Sequence, residues 1–296
     1  MMRVSVLLCL ALASCNPAPK VPEEQLGGAV YTTFYPTTYL AERIAGGLVP
    51  IVCPLPEGGD PISWRPSRDV LAEYQSAKLI VLNGIGLEKW VETASLPAGR
   101  VLESCWLNPD EVVRYEDITV HKHGPGGEHA HEGIDAHTWL DHALAARQAN
   151  CIYLEMQSRW PQHAGAMSKN LKPLLDDLVA LAERLKTIKP APLLASHPAY
   201  NYLAFRFKWQ IANLDLDPEV MPDEKQLAEI RSRLEEHPAK LLLWESEPLP
   251  EIATKLETAF GLQSIVFSPC ESKPAGGEDY LSVMNANLDR LTNAGR

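Results

Sequence analysis

Apolar residues in this chain fall into short blocks bounded by Gly and Pro, and these blocks alternate with longer stretches whose apolar positions recur every three or four residues. AVYTTF (29–34), LVPIVC (48–53) and KLIVLNG (78–84) read as strands. Helical patterns follow the first and precede the third, one running into the Gly46-Gly47 pair and one over 68–76. Such alternation predicts parallel α/β units, whose strands are buried on both faces. The rhythm restarts at APLLASH (191–197) and continues through WQIANL (209–214), KLLLWE (240–245) and SIVFS (264–268), with helices near 223–236, 249–260 and 278–293. Between the two series Leu171, Leu174, Leu175, Leu178, Leu181 and Leu185 mark a helix over about 162–186, closed by Lys189-Pro190. At 1.5 Å per residue it spans roughly 35–40 Å, enough to run the length of a two-lobed molecule. The predicted fold is α/β: two lobes, each a central, mainly parallel sheet flanked by helices, joined by one long rigid helix. The lobes cover 28–161 and 189–296, with the joining helix at 162–188.

The amino terminus adds a cellular address. Arg3, an apolar run over 4–13 and the small residues Ala13 and Ser14 make a secretory leader over 1–14, too short to span a bilayer permanently. Leu12-Ala13-Ser14-Cys15 is similar to a bacterial lipobox, which makes Cys15 the lipidated first residue of the mature chain, followed by a Pro-rich tether to residue 27. The expected location is therefore exported and lipid-anchored at the membrane surface. Loss of Arg3 with the leader takes the formal charge from −11 to −12. That acidity argues against nucleic acid as a partner. Cys53, Cys105, Cys151 and Cys270 have no CxxC spacing, so a cysteine zinc knuckle is not expected, and their pairing is left open.

Candidate chemistry centres on histidine. Five of the nine histidines lie between residues 121 and 137. His121, His123, His129 and His131 belong to a Gly-rich tract (121–133) that is expected to hold no regular element. His137 opens the helical run that follows. Imidazole at this density reads as metal capture. Ligands in two-lobed α/β proteins sit between the lobes, at the carboxyl ends of the strands. Residues placed there are His197, Glu245, the loop 54–67 with Asp60, and Ser268, Cys270 and Glu271. His142, His163 and His237 fall at helix positions that look exposed. Trp64, Trp90, Trp139 and Trp244 read as packing residues, with Trp139 beside His137.

Several motifs, in order along the mature chain, carry a resemblance. They are Phe34-Tyr35-Pro36, Pro56-Glu57-Gly58-Gly59-Asp60-Pro61, the stretch from Asn83 to Trp90 (NGIGLEKW), the His-rich tract, Asp135-Ala136-His137-Thr138-Trp139-Leu140-Asp141, Ser196-His197-Pro198-Ala199-Tyr200, Trp244-Glu245, and Tyr280-Leu281 with Asn287. With them the chain resembles the zinc/manganese solute-binding lipoproteins of bacterial ABC importers, the group with a single interlobe helix and a His-rich loop. The resemblance implies four ligand positions. His137 and His197 match two of them. Ile62 and Ser268 stand at the other two, and neither matches the ligand type the family carries there. Three readings of that departure stay open. Asp60, Cys270, Glu271 or Glu245 replaces the missing donors; a loop histidine folds into the cleft; or the site binds weakly, takes another metal or is lost.

The expected function is capture of Zn²⁺, or else Mn²⁺ or Cu, outside the cytoplasmic membrane and delivery to an ABC-type permease. The competing readings are a metal buffer or adhesin built on an altered site, and a zinc-dependent hydrolase. The last lacks HExxH and a nucleophile elbow, so an enzyme is not expected.

Overall fold

The computed structural model describes residues 28–115, 119–122, 128–131 and 133–294. The leader, Cys15, the tether and His123 lie outside the described residues. Strand β1 (Val30–Thr32) leads into helix α1 (Tyr35–Ala45), and β2 (Ile51–Val52), α2 (Arg68–Ser76), β3 (Leu79–Leu82) and β4 (Val101–Glu103) complete the first sheet. Ser67 caps α2 by accepting from Val70 N, which fixes its start where the polarity changes. The sheet order is β2-β1-β3-β4, all parallel. The predicted strand blocks run longer than the paired segments, although single backbone bonds continue past them, from Val30 N to Pro50 O and from Cys105 N to Asn83 O.

The His-rich tract departs from expectation. It forms an antiparallel ribbon of β5 (Thr119–Lys122) and β6 (Glu128–His131), with residues 121 and 129 opposite each other in register. In sequence the glycines and proline lie between the two strands, which leaves short alternating segments free to pair. Helix α3 (His142–Arg159) follows, then α4 (Ala164–Thr187), the long helix of the leucine pattern. At 24 residues it is about 36 Å long.

The second sheet contains β7 (Leu193–Ala195), β8 (Ile211–Asn213), β9 (Leu241–Trp244) and β10 (Gln263–Val266). It is interleaved with α5 (Asn201–Phe207), α6 (Glu224–Glu236) and α7 (Pro250–Phe260), and closed by α8 (Tyr280–Ala294). Its order, β10-β9-β7-β8, all parallel, repeats that of the first sheet: in each, the first strand lies between the second and the third. Connections that leave such a strand in opposite directions open a crevice at its carboxyl end.

One continuous core joins the lobes. It contains Val30, Phe34 and Ile44 from the first lobe, Leu174, Leu178 and Leu181 from α4, and Leu193, Leu243, Ile265 and Met284 from the second. Separate clusters cover the far face of each sheet. The expected helical exposure of His142 is not what the fold shows. Its ring is buried against Tyr280 and its Nδ1 lies 3.4 Å from Trp139 O. Residue 142 begins α3 on the face turned towards the second lobe, and the one-helix periodicity carries no trace of that neighbour.

Candidate metal centre

His137 is positioned from both sides of its own backbone. Asp135, fully buried, accepts through Oδ1 from the His137 backbone N–H at 2.9 Å and from the Tyr115 hydroxyl at 3.0 Å, and lies 2.7 Å from His137 Nδ1. Asn83, at the end of β3, donates to Ala136 O at 3.1 Å and is itself held by Gln148 of α3 at 3.0 Å. With Nδ1 tied to a carboxylate, Nε2 is the nitrogen left to face the cleft, and it becomes a metal donor on losing its proton to the entering ion. Burial pulls the His137 pKa down, but the charge and hydrogen bond of Asp135, with Glu271 beyond, outweigh it and push the value up to about 10.

Three groups from the second lobe approach this imidazole. His197, just beyond β7, places its ring centroid 6.0 Å from that of His137, nearly edge-on. Glu271 brings Oε1 to 3.2 Å from His137 Nε2. Glu245, just beyond β9, is half-buried, with its Oε1 turned inward. Burial raises its pKa to about 8, the Glu271, Asp60 and Asp217 charges adding to the rise and His137 opposing it. Two imidazoles with nearby carboxylates are a donor set suited to zinc or manganese. Among the described residues no group of three or more His, Cys, Asp or Glu side chains that could hold a metal ion is formed. His137 and Glu271 instead contact each other directly.

Where the pattern departs from the family, the structure assigns other work to the residues. Ile62 is buried in the main core, with its backbone N–H donating to Asp60 Oδ1 at 2.8 Å. Asp60 thus shapes this turn while its charge is felt at Glu245. Ser268 is held by its backbone: its N–H donates to Asn287 Oδ1 at 3.0 Å and its carbonyl accepts from Asn287 Nδ2 at 2.8 Å. Cys270 takes a left-handed backbone, φ 60°, immediately before Glu271. Glu271 goes to His137. The Cys270 thiol lies 4.0 Å from Ser272 O, and burial, with the charges of Asp279, Glu271 and Glu278, pushes its pKa up to about 12. All four described cysteines are free. For His121, His129 and His131 only the ribbon backbone is described. Trp139 packs its ring 5.2 Å from that of His137 and donates to Pro269 O at 2.7 Å, so it also anchors the last loop.

The supporting residues Asp135, Tyr115, Asn83 and Asn287 were not assigned a role from sequence. Only the first had a readable signal, a carboxylate two positions before a histidine, a spacing that lets it reach both the backbone N–H and the ring.

A family model for ZnuA, the periplasmic component A of zinc-uptake complexes, matches residues 30–294. The chain belongs to the ZnuA family. The zinc-binding lipoprotein AdcA of Streptococcus pneumoniae (strain TIGR4) is 27% identical over 98% of this chain, but the match spans only 60% of that relative's length. The high-affinity zinc uptake system protein ZnuA of Bacillus subtilis is 25% identical over 95% of this chain and 93% of its own. Among solved structures, the Zn(II)-bound ZnuA-like domain of Streptococcus pneumoniae AdcA aligns with a TM-score of 0.75 and 23% identity over 90% of this chain and 98% of that one. FpvC of Pseudomonas aeruginosa with Mn²⁺ aligns at 0.69 and 22%, with the same coverages. At these identities the structures show a shared fold, the two-lobed α/β architecture of ZnuA-like proteins.

Proposed function

We propose that this ZnuA-family protein captures a divalent transition metal, Zn²⁺ foremost, in the cleft between its lobes, outside the cytoplasmic membrane, and hands it to an ABC-type permease. The observation that carries this reading is His137: its Nδ1 is anchored by Asp135, and its Nε2 is turned towards His197 and Glu271 of the opposite lobe. A metal entering between His137 and Glu271 replaces their direct contact with two coordinate bonds, and His197 needs little movement to join. Glu271 is then the replacement for the donor missing at Ser268, and Glu245 or Asp60 is the reserve oxygen in place of Ile62. Cys270 faces a different environment and is not assigned to the shell. The ribbon histidines are accessory, raising the local metal concentration.

Binding and release, not turnover, suit a site closed between two lobes that share one core. Lipidation at Cys15 tethers the protein to the membrane face where a permease is met. No helix among the described residues is long and apolar enough to cross a membrane.

The test is zinc titration of the metal-stripped protein, with manganese and copper alongside. One zinc per chain, lost in His137→Ala and His197→Ala, weakened in Glu271→Gln and retained in Cys270→Ser, is the expected result. A wild-type protein that binds none of the three metals at micromolar levels overturns the proposal. For the anchor, Cys15→Ala is expected to release the protein from membranes in fractionation.

A further inference from the structure

His137 and His197 belong to different lobes, so whatever locks the lobes together beside them sets their spacing. Asp141, in the turn that follows His137, caps α3 by accepting from Ala143 N at 3.1 Å through Oδ1. Its other oxygen accepts from Nε–H of Arg206, which lies on α5, the helix that follows His197. The Asp141 side chain is wholly buried, and that of Arg206 is 31% exposed. Arg206 Nη2 also lies 3.6 Å from Glu111 Oε1. Glu111 is in turn gripped by both terminal nitrogens of Arg147, on α3, at 2.6 and 2.8 Å. The cluster holds two carboxylates and two guanidiniums, of which Arg206 alone comes from the second lobe.

The metal function does not use this cluster, yet its placement bears on the site. Two residues after His137, Trp139 is held to the second lobe by neutral hydrogen bonds, from Trp139 Nε1 to Pro269 O and from the Tyr280 hydroxyl to Trp139 O. At Asp141, two residues further on, the grip is ionic. Burial disfavours the Asp141 carboxylate and pushes its pKa up; Arg206 offsets part of this, helped by the backbone N–H groups of Ala143 and Leu144. Parting the lobes here strands a buried charge, which is far costlier than losing an exposed ion pair.

We infer that Arg206 is a positioning residue for metal retention, a charged latch joining the helix after His197 to the turn after His137 and slowing release of the captured ion. The inference rests on the reading of the cleft as the metal site.

The experiment loads the purified full chain with Zn²⁺ and follows its transfer to an excess of a chromogenic chelator by stopped flow. Arg206→Met is expected to release zinc at least about tenfold faster, with association changed by less than about twofold, because breaking a buried charge pair acts on dissociation. Arg206→Lys recovers part of the loss, an effect that a purely steric role does not produce. Asp141→Asn combined with Arg206→Met releases no faster than the faster single variant, since both remove one contact. Wild-type release at the same rate as Arg206→Met, or rate effects that multiply in the double variant, overturns the latch. Should Arg206→Met fail to fold, Glu111→Gln carries the test, with an expected acceleration of about threefold and no change as the overturning result. A wild-type chain that takes up no zinc overturns the reading of the cleft, and the latch with it. Normal zinc loading with unchanged release overturns the latch alone.

Discussion

His137, the side chain proposed here as the first metal ligand, is oriented by groups that stand behind its ring and face away from the cleft. Asp135 Oδ1 receives the His137 backbone N–H, the Tyr115 hydroxyl and the Nδ1 side of the ring, so one oxygen fixes the segment and the ring together. Partners of this kind typically contribute about 10- to 100-fold to metal affinity. Asp135→Ala is expected at the upper end of that range in a zinc competition titration. Asp135→Asn keeps an acceptor but loses the charge, and is expected near the lower end. Equal affinity in Asp135→Ala and wild type would show that the ring is oriented by packing on Trp139 alone. At this scale local motifs marked the positions of His137 and His197, and the structure brings their ring centroids to 6.0 Å. The sequence was ambiguous for Glu271, Cys270, Asp60 and Glu245, because which of them meets His137 is set by tertiary contacts and, at Cys270, by a left-handed backbone. No composition or spacing rule places a positive φ at a non-glycine residue.

Among the elements, α4 decides how the two lobes behave towards each other. Its buried face (Met167, Leu171, Leu174, Leu178, Leu181 and Leu185) belongs to the one core that also contains residues of both sheets. Arg43 of α1 pairs with Asp177 at 3.0 Å, and Arg184 with Asp289 of α8 at 2.7 Å, so the helix is also pinned at its surface to each lobe. Truncating a fully buried leucine costs roughly 2–5 kcal/mol through lost transfer energy and the cavity left behind. Leu178→Ala is expected to lower stability by that amount in urea denaturation, while the transition stays single, because both lobes lose the same support. Two separated transitions in the variant would mean that the core is not shared. The leucine spacing announced this helix from sequence, since its signal is local and repeated over many turns. The ribbon of residues 119–122 and 128–131 was missed for the opposite reason: its strands are short, and only their pairing with each other makes them strands.

Across the whole molecule, the joining of the lobes buries a group that a single-helix reading placed in water. His142 is sealed between α3 and Tyr280, and burial, only partly offset by its hydrogen bond to the Trp139 carbonyl, lowers its pKa from 6.5 to about 4. The unfolded chain takes up this proton near pH 6.5 and the folded one only near pH 4, so between those values the unfolded state binds more protons. Stability from this group is therefore fully present above about pH 6.5 and is lost as pH falls towards 4. The loss is about 1.4 kcal/mol per pH unit, roughly 3 kcal/mol in all. Glu245 slopes the other way. Its raised value, about 8, keeps it protonated in the fold while the unfolded carboxylate ionises, so it takes stability away as pH rises from about 4.5 to 8. The two effects oppose each other between pH 4.5 and 6.5, and a wild-type profile alone hides both. The informative quantity is the difference between wild type and His142→Leu in metal-free protein, from which Glu245 cancels. The variant is expected to gain on wild type by about 3 kcal/mol between pH 6.5 and 4 in urea-unfolding free energy, whatever constant cost the substitution carries. A difference that does not change with pH over this window would place the His142 ring in contact with water, and would mean that the lobes are less closely joined at α3 than the shared core requires.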